Sequence, residues 1–242
     1  MTASDRPDRL AEPDAGRLEA LAEFAAGAGH EINNPVATIV GYVQQLLAGE
    51  SDPDRRQALL TIGGQAYRIR DMIGDVMLFA RPPKPQPERQ DLGAVCREVL
   101  DKFAAEAVAA SCRLELDAPL PVPVLVDPVQ LRVAISALVR NSLEAVGTSG
   151  EICLRTERAH APQGQWGILH VRDNGVGLSE SDRKHLFDPF YSGRQAGRGL
   201  GFGLPKTWRI VTLHGGRIEV DAPSSGGVAF TIYWPTDDAN SP

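Results

Sequence analysis

From Leu59 onward the apolar and small residues Leu59, Ile62, Ala66, Ile69, Ile73, Val76 and Ala80 step by 3, 4, 3, 4, 3 and 4. This is the spacing of one buried helix face. A looser run precedes it at Leu18, Leu21, Ala25, Ala28, Ile32, Ile39 and Leu46. Gly49-Glu50-Ser51-Asp52-Pro53 separates the two, a breaker cluster long enough to turn one helix back on another. The pattern predicts an antiparallel helical hairpin over 17–81. One pair of helices cannot bury a stripe on both, so the expectation is a homodimer that closes a four-helix bundle.

The hairpin should end at Arg81-Pro82-Pro83-Lys84-Pro85-Gln86-Pro87, where four prolines fall within six residues. Such a run cannot continue a helix and favours a semi-rigid extended spacer, placed at 82–90. Beyond Asp91 the texture changes. Helices are expected near 92–110, 128–147, 180–187 and 203–214. Alternating, β-branched segments predict strands near 112–117, 123–126, 151–158, 167–173, 217–221 and 228–234. Mostly hairpin-connected strands mixed with helices predict an α+β fold: a two-layer α/β sandwich over 91–236, with helices on one face of a mixed sheet. The polar residues 1–16 read as a disordered lead-in and 237–242 as a flexible tail.

Composition narrows the function classes. Hydrophobic residues at 43% and charged residues at 23% of 242 support a real core. The balance of 25 basic against 31 acidic residues, net -6, argues against broad nucleic-acid binding. No apolar run approaches the roughly 20 residues that span a bilayer, so membrane insertion is not expected. The acidic, proline-containing start is unlike a secretory signal. Cys96, Cys112 and Cys153 lack metal-ligand spacing and even pairing, which fits reduced thiols in the cytoplasm.

The first candidate chemistry lies in His30-Glu31-Ile32-Asn33-Asn34-Pro35. Residues 30 and 34 are about one helical turn apart and share a face, with 31 beside them. An imidazole placed so can attack a phosphoryl group through one ring nitrogen while the adjacent carboxylate takes the proton from the other. Asn34 can orient a water. With 25, 32 and 39 as seam positions, His30 falls on the outward face of its helix. Pro35 removes a helix hydrogen bond at a cost of about 3 kcal/mol, and Gly27 and Gly29 each weaken the segment by about 1 kcal/mol. A kink beside the histidine is therefore expected, since the apolar spacing continues past the proline. An isolated His-Glu pair is ordinarily surface decoration; its weight here comes from a second constellation about 110 residues downstream.

Four further motifs lie in the second region. Asn141 and Glu144 sit on a mostly apolar helix, where an asparagine amide oxygen can ligate Mg²⁺ beside phosphates. Asp173-Asn174-Gly175-Val176-Gly177 comes directly off a strand. Its glycines allow a tight turn with close ligand approach, and the aspartate can accept from an exocyclic amine. Phe187-Asp188-Pro189-Phe190-Tyr191 supplies an aromatic anchor that can equally be core. Gly197-Arg198-Gly199-Leu200-Gly201-Phe202-Gly203 precedes a helix, and glycines there free backbone N–H groups to hold phosphates. It lacks the Gly-Lys-Ser/Thr ending of a P-loop. Each motif alone is weak; the order and combination are specific.

Together they resemble a two-component sensor histidine kinase. Residues 24–47 resemble the histidine box and 137–145 the asparagine box, while DNGVGL, LFDPFYSGR and GRGLGFGLP resemble the first glycine, phenylalanine and second glycine boxes. The HEINNP form resembles the nitrogen-sensor branch. The resemblance covers about residues 18 to 235. It implies a dimerisation and histidine-phosphotransfer hairpin followed by a Bergerat-type ATP-binding domain. His30 would be phosphorylated from ATP with Mg²⁺ held by Asn141, and Asp173 would recognise adenine. Gly175, Gly177, Phe190, Gly199, Leu200, Gly201 and Gly203 would shape the pocket and its lid, with Arg194 and Arg198 near the phosphates. The phosphoryl group would pass to an aspartate on a response-regulator receiver domain, and Glu31 and Asn34 fit the reverse, phosphatase task. Arg194 stands where the family often has lysine, and Arg198 replaces a small residue. Ala137 stands where the family often has another asparagine and where ATP-hydrolysing relatives such as gyrase carry a glutamate. It leaves open an alternative, a nucleotide-dependent switch or scaffold of the same fold. No sensory domain is legible, so a separate sensory protein is a candidate partner.

Overall fold

Short acceptor side chains start four of the helices. Asp52 accepts from the backbone N–H groups of Asp54 and Arg55, Asp91 from Gly93, Asp127 from Val129 and Gln130, and Ser179 from Asp182. Each satisfies first-turn donors that the helix itself leaves unpaired. The computed structural model describes residues 15–161, 164–191, 201–222 and 226–236. The expected lead-in up to residue 14 and the tail from 237 lie outside the described residues.

Two helices come first, α1 (Ala15–Gly49) and α2 (Pro53–Ala80). They are followed by β1 (Glu88–Asp91), α3 (Leu92–Ala109), β2 (Arg113–Asp117), β3 (Pro123–Val126) and α4 (Pro128–Val146). The chain continues with β4 (Glu151–Ala161), β5 (Gly164–Asp173), α5 (Glu180–Lys184), α6 (Gly203–Leu213), β6 (Arg217–Asp221) and β7 (Ala229–Pro235). It divides into two compact units, one built on α1 and α2 up to Pro83, the other running from Lys84.

In the first unit α1 begins at Ala15, inside the expected lead-in, and runs unbroken through Pro35 to Gly49. Thr38 Oγ donates to the Asn34 carbonyl at 3.0 Å, a back-bond that bends helices slightly. The helices do not meet along the expected line of Ile32, Ile39 and Leu46. The line that faces inward on α1 is Gly29, Val36 and Val43, all buried. The reason is size: glycines permit close approach. A side chain on Gly29 would come within 2.7 Å of the Met77 sulfur, and one on Gly63 within 3.1 Å of Val43. On α2, Ala66 and Val76 are buried as the spacing predicts, whereas Ile62 and Ile69 are 49% and 42% exposed. Ile39 at 43% and Leu46 at 58% match them on α1, so much of the expected seam is an apolar stripe left open on the single chain.

In the second unit the order β2-β4-β5-β7-β6 makes a five-stranded sheet. Only the β2–β4 pair is parallel; β4–β5, β5–β7 and β6–β7 are antiparallel. Along β7 burial alternates strictly, with Phe230, Ile232 and Trp234 buried and their neighbours half-exposed. That is the signature of a sheet packed on one face. Leu154, Leu169 and Val171 extend the buried face, and Val99 of α3, Ile135 and Leu138 of α4, and Ile210 of α6 complete the core. The outcome is a mixed α/β layer pair, as the sequence pattern predicts. Residues 88–90, expected as spacer, instead belong to β1, which pairs antiparallel with β3. Glu-Arg-Gln-Asp has no apolar alternation to betray a strand; its partner β3 imposes the conformation.

Candidate functional site

Three of the second unit's candidate residues, Asp173, Gly175 and Gly177, lie at or just beyond the end of β5. Asp173 is the last residue of that strand and only 3% exposed. A carboxylate so deep needs partners. Ser142 Oγ donates to its Oδ2 at 3.0 Å. The N–H groups of Gly175 and Val228 donate to its Oδ1 at 3.0 and 3.3 Å. Its own N–H donates to the Val228 carbonyl at 3.0 Å. The carboxylate is therefore held in one orientation by a helix, a turn and the approach to β7.

The turn after Asp173 is pressed against α4. A side chain on Gly175 would come within 2.7 Å of the Ala145 carbonyl, and Val176 N–H donates to that same oxygen at 3.4 Å. Gly177 is left-handed, φ +78, a conformation that only glycine adopts without strain. Asn174 ties the turn to the start of β4, its Oδ1 accepting from Glu151 N–H at 2.8 Å. Asn141 lies next to Ser142 on α4 and is half-buried, as is Ala137 one turn earlier. The helix itself is anchored at its start by Asp127, whose carboxyl sits below the usual carboxylate range. Burial pushes it up, but hydrogen bonds from Gln130, Gln86 and Val129 and the charge of His214 outweigh that effect.

A second group forms where α6 begins. Phe190 is 57% exposed and meets the buried Phe202 edge-on, ring centroids 4.8 Å apart. Gly201 is left-handed, φ +72, and a side chain there would strike the Tyr191 carbonyl. Gly203 has open space around its α-carbon; it opens α6, which carries no side-chain cap. Thr207 Oγ donates to the Ala134 carbonyl of α4 at 3.4 Å, so α6 and the Asp173 turn are both referenced to α4. Arg194, Arg198, Gly199 and Leu200 lie outside the described residues.

Two partners of Asp173 have weak sequence signatures. Ser142 is a polar residue at an inward position, one turn after Leu138; that mismatch is the signal that could have found it. Val228 follows Gly226 and Gly227, both at positive φ, +97 and +81, and the Gly-Gly pair reads in sequence only as a turn.

In the first unit, His30, Glu31 and Asn34 are all exposed. Gly29, immediately before the histidine, is buried against Met77, so α1 turns a glycine inward where it turns the imidazole outward. Asn33 Oδ1 is buried with no hydrogen-bond partner. Among the described residues no group of three or more His, Cys, Asp or Glu is placed to hold a metal, and no helix is long and apolar enough to cross a membrane.

Known proteins resemble both units. Residues 20–84 match the His Kinase A (phospho-acceptor) domain. Residues 126–238 match the family described as histidine kinase-, DNA gyrase B-, and HSP90-like ATPase. The signal transduction histidine-protein kinase AtoS of Escherichia coli is 32% identical over 229 residues, covering 94% of this chain. Sporulation kinase E of Bacillus subtilis is 28% identical over 230 residues, again 94% of this chain. The chain spans about a third of the length of these relatives, 36% and 30%. In fold it is similar to full-length ShkA in complex with AMPPNP, with a TM-score of 0.78 at 20% identity, covering 91% of this chain and 47% of that one. It is also similar to histidine kinase ThkA in complex with the response regulator protein TrrA, TM-score 0.64 at 21% identity, covering 93% and 65%. The chain thus joins a His Kinase A (phospho-acceptor) domain to a histidine kinase-, DNA gyrase B-, and HSP90-like ATPase domain, a pair that matches many sensor histidine kinases.

Proposed function

We propose that the chain is the catalytic portion of an ATP-dependent protein-histidine kinase acting in the cytoplasm, which phosphorylates His30 and passes the phosphoryl group to an aspartate of a response-regulator receiver domain. The observation that carries the reading is the Asp173 cradle. A carboxylate oriented by Ser142, Gly175 and Val228 at a strand end is an acceptor matched to the exocyclic amine of adenine. Gly175, flush against Ala145, keeps the turn that carries this acceptor pressed on α4.

The donor set also fits a magnesium ion. Asn141 offers a hard amide oxygen on the same helix as Ser142, and Mg²⁺ commonly takes one or two protein ligands with phosphate and water completing its shell. When bound, the ion would neutralise charge on the phosphates. The N–H groups opening α6 would face the phosphates in the manner of helix N-termini.

In the transfer, an imidazole nitrogen of His30 bonds to the γ-phosphorus, the bond to the ADP oxygen breaks, and the proton on the other ring nitrogen goes to Glu31. Exposure of His30 supports a group that must reach a separate site, and positioning with charge neutralisation suffices for such chemistry. Phosphatase action toward the receiver would use Asn34 to hold the attacking water. Dimerisation into a four-helix bundle is supported by the open stripe of Ile39, Leu46, Ile62 and Ile69; fully burying one such side chain is worth about 1.5–3 kcal/mol.

Calorimetric titration with Mg-ATP tests the reading. One nucleotide should bind per chain, with binding lost in Asp173→Ala. No uptake by the wild-type chain, or undiminished uptake by that variant, would overturn it.

A further inference from the structure

Tyr191 is not itself among the residues assigned to the nucleotide, yet it is tied down from several sides. Its phenol donates to Asp182 Oδ1 at 2.9 Å, with Ser181 Oγ at 3.4 Å. Asp182 is also the capping-box residue of α5, where its Oδ2 accepts from the Ser179 N–H and hydroxyl at 3.0 and 2.6 Å. The His185 ring lies tilted beside the tyrosine, centroids 5.1 Å apart, while its Nδ1 pairs with Asp188 at 2.7 Å. Arg183 donates to the Ala222 carbonyl just beyond β6 at 2.9 Å. The phenol is thus fastened to a short helix that is itself fastened to the sheet.

The backbone of Tyr191 meets a different neighbour, Gly201. Its carbonyl fills the space that a side chain on Gly201 would need. Phe190, the preceding residue, is held at φ +66. A bulky residue persists at positive φ only where its surroundings over-determine it. Its ring meets Phe202, which immediately precedes the first residue of α6. The Phe190-Tyr191 pair therefore seats Gly201-Phe202, and through them the uncapped first turn of α6.

We infer that Tyr191 is a positioning residue: through its hydrogen bond to Asp182 it sets the first turn of α6 for the phosphates of the nucleotide without touching the nucleotide itself. This rests on reading the second unit as an ATP site. The adenine cradle is built independently, because Ser142, Gly175 and Val228 hold Asp173 with no contribution from Tyr191. Loss of the hydroxyl is therefore felt at the phosphate end alone.

The test compares Tyr191→Phe with the wild-type chain for binding of Mg-ATP and of adenosine, and for KM and kcat in autophosphorylation. A hydrogen bond to a carboxylate that is only part-buried lies at the low end of its range and corresponds to about tenfold in an equilibrium. ATP affinity should fall by about that factor and KM rise in parallel, with adenosine affinity unchanged and kcat at saturating ATP within about twofold. Unchanged ATP affinity overturns the inference, and so does an equal loss for adenosine, which would mark a general support of the fold. A wild-type chain that binds neither ligand fails at the nucleotide reading itself, a result distinct from any difference between the two proteins.

Discussion

Ser142→Ala probes the Asp173 cradle where it is most deeply enclosed. Both partners are buried, the serine at 0% and the aspartate at 3% exposure, and their hydrogen bond is 3.0 Å long. The change removes one oxygen, so the cavity left is small and the main cost is the lost bond to a carboxylate, about 1.5–3 kcal/mol. Alanine returns a few tenths of a kcal/mol through its higher helix propensity, since Ser142 lies within α4. The net expectation is a loss of about 1–2.5 kcal/mol. For a unit of this size 1 kcal/mol moves the melting midpoint by about 2–4 °C, so a fall of about 2–10 °C is expected. Trp166, Trp208 and Trp234 all belong to the second unit and the hairpin has no tryptophan. Urea unfolding followed by tryptophan fluorescence therefore reads this unit selectively. Adenosine affinity should fall too, because Asp173 loses one of its orienting donors. A variant with unchanged midpoint and slope would refute the claim that Ser142 supports the carboxylate.

Local geometry sets the other expectations. Gly29→Ala places a methyl 2.7 Å from the Met77 sulfur; overpacking costs about 1–3 kcal/mol against about 1 kcal/mol gained in helix propensity. The hairpin should therefore lose about 1 kcal/mol by circular dichroism, recovered in part by adding Met77→Ala; a raised midpoint for Gly29→Ala alone contradicts the contact. Asp127→Ala removes the cap of α4 and should cost about 1–2 kcal/mol at neutral pH. Because the folded carboxyl titrates below its ordinary value, that contribution is present above an unfolded pKa of about 3.9 and is lost as pH falls through the folded pKa. The wild-type advantage in urea should accordingly shrink in acid, and an advantage that grows there is the wrong sign. Cys96 is fully buried, and burial, reinforced by Asp91, pushes its thiol up to about 12. Iodoacetamide labelling mapped by mass spectrometry should find it inert in the folded chain while the half-exposed Cys112 and Cys153 react.

Periodicity and breakers made much of the fold readable, and its failures have physical causes. The helices around Val99 and Ile135 and the strand from Ala229 bury one face each, so their apolar spacing marks them in sequence. Strand β1 escaped because Glu88-Arg89-Gln90-Asp91 is polar throughout and takes its form from β3. Helix α5 ends at Lys184, earlier than its pattern predicts, where the His185–Asp188 side-chain pair takes over from helical bonding. Helix contact in the hairpin was misplaced because spacing alone cannot separate a stripe that meets the partner helix from one left open. Small residues decided it, with Gly29 and Gly63 admitting close approach. At the candidate site, Asp173 and its glycines were legible as a strand-end turn, but the aspartate's burial was not. That depends on Ser142, 31 residues earlier, and on Val228, 55 residues later, long-range pairings that local pattern does not encode. Likewise the phenol of Tyr191 finds Asp182 only once α5 is folded.

The most direct measurement is the chemical identity and location of the phosphoryl group after incubation with radiolabelled Mg-ATP. The account predicts label that is stable in base and labile in acid, carried on His30 and absent from His30→Gln. Acid-stable label, or label that persists in His30→Gln, would contradict it.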